Sequence, residues 1–73
     1  MRTFVTFGQS HTHSVNGKTF DKDCVAVIKS SSAQEGRELA FEFFGRQFCM
    51  EHPEPYWDEE SLRYYPRGYI EVN

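Results

Sequence analysis

The residue pattern predicts an α+β fold: a small sheet of about four strands, one main helix on one face and a short second helix, ordered β-β-α-β-α-β. Three observations predict it. β-branched and aromatic residues are concentrated near both ends of the chain, at Arg2 to Gly8 and Gly68 to Val72. The uninterrupted apolar run Cys24-Val25-Ala26-Val27-Ile28 stands between charged residues. Ser32 and Glu35, three apart, open a stretch of helical periodicity that Gly45 closes. Seventy-three residues hold one core, so residues 1–73 read as a single domain.

The first strand runs from Arg2 to Gly8, with Val5 and Phe7 on one face and Phe4 and Thr6 on the other. Phe4 implies that the second face is also covered. Polar residues then follow to Asp23, centred on Asn16-Gly17, a turn dipeptide because both residues tolerate positive φ. The segment is either a long loop or an extension of two strands meeting at that turn. Val15 and Phe20, which flank it, favour the extension. The run Cys24–Ile28 has the character of a central strand buried on both faces.

The main helix is capped by Ser32 and Glu35, runs to Phe44 and stops at Gly45 as a left-handed residue. Ala33, Gly36, Ala40, Phe43 and Phe44 form its apolar stripe, with Leu39 at the margin. Glu35, Glu38 and Glu42 line the opposite side, and Phe41 falls near them. Gln47 to His52 alternates as a strand with Phe48 and Met50 on one face, ended by Pro53-Glu54-Pro55. Asp58 caps a short helix through Tyr65, which Pro66 stops, and Gly68 to Val72 forms the last strand. Both helices are expected on the same face of the sheet.

A chain of this length buries only about 60% of the surface that its unfolded form exposes. Seven Phe, four Tyr and one Trp offset that handicap by supplying large apolar area per ordered residue. Self-association into a homodimer is the other common remedy and stays open. Two cysteines, Cys24 and Cys49, are too few for a disulfide scaffold. The N-terminus turns polar by Gln9, too early for the apolar region of a secretion signal. No apolar run approaches a membrane span. The expected setting is a reducing cytoplasm with both thiols free.

Net charge is −3, and the halves differ in sign. Residues 1–34 hold Arg2, Lys18, Lys22 and Lys29 against Asp21 and Asp23. Residues 35–73 hold four arginines against nine acids. Such a balance is poorly suited to gripping phosphate backbones directly and suits a basic partner.

Four side chains, His11, His13, Cys49 and His52, are the candidate metal ligands, with Cys24 as a further thiol. The His-x-His spacing puts two imidazoles on one side of an extended segment. Residues three apart on a strand face opposite ways, however, so Cys49 and His52 converge only across a bend at Pro53. The plainer reading is two loop histidines and two small buried thiols, and no metal or other cofactor is assigned. Neither Ser10 nor Ser14 beside a histidine comes with a carboxylate orienter or an oxyanion loop, so the chain is read as non-enzymatic. Gly8-Gln9-Ser10 after a strand has the start of a phosphate loop without its later glycines and lysine. A small-ligand or nucleotide site on the Gly8–His13 loop, with rings to stack on, is the alternative reading.

The proposed binding residues fall in two groups. Glu35, Glu38 and Glu42 form a carboxylate row on the helix, of the kind that occupies a basic groove; the plainer reading is a solvated helix face. Trp57, Asp58, Glu59, Glu60, Tyr64, Tyr65 and Arg67 lie in a segment rich in Tyr, Trp and Arg, the residue types that bury much area at small entropic cost in interfaces. Those rings exceed what one short helix and one edge strand can cover, so some are expected to face outward.

Phe4-Val5-Thr6-Phe7-Gly8-Gln9-Ser10-His11 and Phe44-Gly45-Arg46-Gln47-Phe48-Cys49 together resemble a pattern in small phage-encoded proteins. There a Phe-Thr-Phe-Gly-x-x-His start precedes a helix ending in Phe-Gly and an aromatic-led strand. Val5 departs from it by splitting the first Phe-Thr pair. The resemblance implies a phage or mobile-element origin and an anti-defence role, anti-CRISPR-like, in which the chain binds a host protein such as a nuclease or guide-RNA effector complex. It brings no catalytic residues.

Overall fold

A computed structural model describes residues 1–48 and 50–73. Among them the chain forms β1 (Arg2–Thr6), β2 (His13–Val15), β3 (Lys18–Phe20), β4 (Cys24–Lys29), α1 (Ala33–Phe44) and β5 (Met50–Pro53). Two 3₁₀ turns (Glu54–Tyr56 and Glu59–Tyr64) and β6 (Gly68–Glu71) follow. The fold is α+β. The main sheet has the order β5-β1-β4-β6, and β2 and β3 form a separate pair. β1 is antiparallel to both β4 and β5, and β4 is parallel to β6. β4, β5 and β6 therefore run together, with β1 against them.

β4 is central, and every residue from Cys24 to Ile28 is buried, as an unbroken apolar run requires of a strand covered on both faces. Asn16 and Gly17 both have positive φ, 52° and 77°, which gives the tight turn a twist matching that of its strands. The hairpin it joins is not an extension of β1 and β4. Tight turns on either side uncouple it: the amide of His11 donates to the Gly8 carbonyl (3.1 Å), and that of Cys24 to the Asp21 carbonyl (3.3 Å). Its tip is tied instead to the end of the last strand, where Asn16 Nδ2 donates to the Val72 carbonyl and Lys18 Nζ to that of Glu71.

α1 begins and ends where the sequence places it. Ser32 Oγ accepts from the Glu35 amide at 3.1 Å. The return arm of the cap is displaced by one residue, since the Glu35 carboxylate accepts from the Ser31 amide at 2.8 Å. Gly45 adopts φ 65° and donates to the Phe41 carbonyl, closing the helix with a left-handed residue. Gly36, Ala40 and Phe44 are buried. Phe44 meets the ring of Phe7 edge-on at 5.0 Å and that of Phe20 at 5.3 Å. Val5, Cys24, Ala26, Ile28 and Val72 complete this first core.

A second, smaller core lies on the other face. Phe4, Val25 and Val27 are buried there beneath half-buried Trp57, Leu62 and Tyr65. Topology demands this cover. β5 and β6 occupy opposite edges, so residues 54–67 must cross two intervening strands, roughly 14 Å at about 4.8 Å per strand spacing. The face under α1 is already filled, so the crossing takes the other one. The expectation of both helices on one face is corrected accordingly. The second helix stands where expected, capped by Asp58, as the 3₁₀ segment Glu59–Tyr64; a further 3₁₀ turn, Glu54–Tyr56, precedes it, and no residue of either is buried. Nor do Phe48 and Met50 share a face. Phe48 packs against the first core, before the strand begins, whereas Met50 pairs with Thr6 and is exposed.

Candidate functional site

The crossing segment 54–67 is fastened at both ends and in the middle. At its start the Glu54 carboxylate accepts from the Arg2 amide at 2.8 Å and pairs with Arg2 Nη2 at 3.4 Å. The amide of Arg2, then its guanidinium, holds the Glu54 carboxyl below its ordinary range. At its end the Arg67 amide donates to the Asp23 carbonyl at 2.8 Å, and Arg67 Nη1 pairs with Asp21 Oδ2 at 3.2 Å. The Asp21 carboxyl is likewise lowered, first by the Asp23 amide that donates to it and then, against the cost of its burial, by Arg67. In the middle Trp57 stacks on Phe4, with centroids 5.2 Å apart and planes at 17°. Its Nε1 donates to the Tyr69 hydroxyl at 2.8 Å. Leu62 and Tyr65 fill the remainder of the inner side.

The outer side is a different surface. Tyr56 is 80% exposed and Tyr64 69%. The Arg63 guanidinium lies 5.3 Å from the centroid of the Tyr64 ring. Glu59 and Glu60, which lie between the two tyrosines in sequence, are exposed as well, and none of the described ion pairs uses either carboxylate.

The residues proposed from the sequence therefore separate by role. Trp57 and Tyr65 mainly close the second core, and Arg67 clamps its end. Asp58 caps the second 3₁₀ turn, Oδ1 accepting from the Glu60 amide at 3.0 Å. Glu59, Glu60 and Tyr64 face solvent. Tyr56, the most exposed ring, belongs to the same ring-rich segment but was not singled out as a binding residue; it ends the first 3₁₀ turn, directly after Pro55. On α1, Glu35 is bound to Ser31 and Glu38 accepts from Gln34 Nε2 at 3.3 Å, while Glu42 is exposed. α1 and segment 54–67 cover opposite faces of the sheet, so the helix carboxylates and the aromatic segment form two surfaces.

The imidazoles are equally dispersed. His11 Nδ1 accepts from the Gly8 amide, so this ring closes the loop that was the candidate ligand site. His13 Nε2 donates to the Gln47 carbonyl at 2.6 Å, with its ring against Phe7 and Phe44. His52 lies on Trp57, at the second core. Among the described residues no three His, Cys, Asp or Glu side chains gather as metal ligands, and no pocket opens. Cys49 lies outside the described residues. Cys24 is a buried free thiol whose ionisation burial pushes up. No described helix is long and apolar enough to cross a membrane. No protein-family model matches the chain, and no curated protein or solved structure matches it.

Proposed function

We propose that this protein acts by binding a host protein in the cytoplasm, without chemistry of its own, and that the bound protein handles nucleic acid in a bacterial defence system. The observation that carries the binding part is the outward excess of rings on segment 54–67. A chain this small has little aromatic area to spare, yet Tyr56 and Tyr64 are left in water. The carboxylates beside them and on α1 favour a partner with a basic surface, as proteins that grip phosphate have. The phage and anti-defence part rests on the resemblance of the Phe4–His11 and Phe44–Cys49 segments.

The test begins with affinity capture from bacterial lysate, followed by purification of what is captured and assay of its nucleic-acid activity. The reading expects one stoichiometric protein partner whose nuclease or effector activity falls when this chain is added. It also expects that capture fails for the Tyr56→Ala/Tyr64→Ala double variant. Absence of any stable partner, or undiminished capture by the Tyr56→Ala/Tyr64→Ala variant, would refute it.

A further inference from the structure

We infer that the outer side of segment 54–67 is a docking face for an arginine-bearing segment of the partner protein. This rests on the binding reading above and deepens it by naming the chemistry recognised. The first argument is what the chain already does with its own rings. Three of them carry an arginine guanidinium within cation–π reach: Arg2 at Phe4 (5.2 Å), Arg37 at Phe41 (5.6 Å) and Arg63 at Tyr64 (5.3 Å).

The second argument is vacancy. Phe4 is buried under Trp57, and Phe41 leans on Phe48 at 5.3 Å as well as meeting Arg37. Tyr64 has Arg63 on its ring yet remains 69% exposed, and Tyr56, at 80%, takes part in none of the described ring contacts. Tyr56, which carries no guanidinium, and Tyr64, which carries one, keep the largest exposed ring areas for an arginine from outside.

The third argument is charge. Glu54 and Asp58 are engaged within the fold, but Glu59 and Glu60 are not in any described ion pair, and they lie in sequence between the two tyrosines. A guanidinium that stacks on a tyrosine can donate a forked pair of hydrogen bonds to a neighbouring carboxylate, a combination that a lysine ammonium cannot reproduce. A phosphate-bearing ligand would meet these same carboxylates and be repelled.

Titration of the labelled protein, followed by backbone and tyrosine-ring NMR, tests this with three probes: an arginine-rich peptide, a lysine-rich peptide of equal charge, and a polyuridine oligonucleotide. Expected are saturable shifts at Tyr56, Glu59, Glu60 and Tyr64 with the arginine peptide, and weaker binding of the lysine peptide. Tyr56→Ala and Tyr64→Ala should each lower affinity by about fivefold, while Tyr64→Phe keeps it. Charge reversal at Glu59 and Glu60 should abolish saturation. All these positions are exposed, and far-UV circular dichroism verifies that the variants fold.

Equal binding of the two peptides with silent tyrosine variants would reduce the effect to bulk charge and overturn the inference. So would shifts centred on Glu38 and Glu42 of α1, or preference for polyuridine. A captured host partner whose binding needs Tyr56 and Tyr64 but is indifferent to arginine on its own surface would sink the arginine docking and leave the binding reading intact. Failure to capture any partner bears on that reading, while the peptide titration still decides this one.

Discussion

The sheet has two faces, and they are covered by different physics. On one, twelve residues of regular helix set Gly36, Ala40 and Phe44 into a core that also takes in Val5, Phe7, Phe20, Cys24, Ala26, Ile28 and Val72. On the other, a segment with no buried residue of its own rests on three buried side chains, Phe4, Val25 and Val27, through half-buried Trp57, Leu62 and Tyr65. The first cover satisfies its backbone internally and needs only its apolar stripe to dock. The second is held by a stacked ring pair, one indole hydrogen bond and an ion pair at each end. Free energy of local opening follows buried apolar contact, so segment 54–67 should open before α1. A surface that presents rings to a partner is thereby placed on the less firmly held half.

The largest effect expected from this difference compares two truncations. Phe44→Ala removes a buried ring that touches Phe7, Phe20 and Phe43, and should cost about 3–5 kcal/mol, enough to unfold much of the population. Trp57→Ala removes a larger side chain from a half-exposed site and should cost less, about 2 kcal/mol, because part of its area was never taken from water. Denaturant unfolding monitored by circular dichroism measures both. Equal losses would mean that the two covers are comparably firm, and the contrast drawn here would be wrong.

A second, smaller effect concerns how close each cover lies to the sheet. A Cβ built at Gly36 would come 2.0 Å from Thr3 Oγ1 and 3.0 Å from Thr3 Cβ. Thr3 is fully buried on a central strand and cannot swing aside. Gly→Ala inside a helix ordinarily adds about 0.8–1 kcal/mol of stability. Here the overlap should reverse the sign, leaving Gly36→Ala destabilised by about 1–3 kcal/mol. On the other cover Tyr64→Ala should change stability by less than about 0.5 kcal/mol, since its ring is mostly in water. A stabilised Gly36→Ala variant in thermal melts would show that α1 stands further from β1 than described.

The same contrast explains what could be read from the residues. α1 was legible to the residue because three local signals agreed: the Ser32 cap, the stripe through Ala40 and Phe44, and the positive φ that Gly45 supplies. β4 was legible because an unbroken apolar run has few other homes, and the Asn16-Gly17 turn because its dipeptide is specific. What escaped was set by topology rather than local chemistry. Nothing in residues 54–67 announces that β5 and β6 lie at opposite edges, yet that separation forces the crossing, sends it to the face opposite α1 and draws it out into 3₁₀ turns. The candidate site inherited the error. Trp57, Tyr65 and Arg67 have the composition of an interface, but the crossing directs them inward or into a clamp. Tyr56 gained its exposure from a turn that Pro53 and Pro55 made probable without fixing its direction.

The smallest effect expected is a difference in acid response, and it addresses the ends of the segment. Asp21 and Glu54, which anchor those ends, both have carboxyls held below their ordinary values of 3.8 and 4.5. A carboxyl whose folded value is depressed stabilises the fold fully above its unfolded value and loses that contribution as pH falls through the folded one. Both anchors are therefore intact above about pH 4.5 and weaken progressively on acidification past 3.8. The single tryptophan sits on the segment itself, so its emission reports this cover, while far-UV circular dichroism reports mainly α1. As pH is lowered through that window, Trp57 emission should shift red before helical signal is lost. The Asp21→Asn/Glu54→Gln double variant should lose that early step, because its anchors no longer titrate. Coincident transitions by both probes in the unsubstituted protein would mean that the two faces open as one unit, with the anchors carrying no separate share of the hold on segment 54–67.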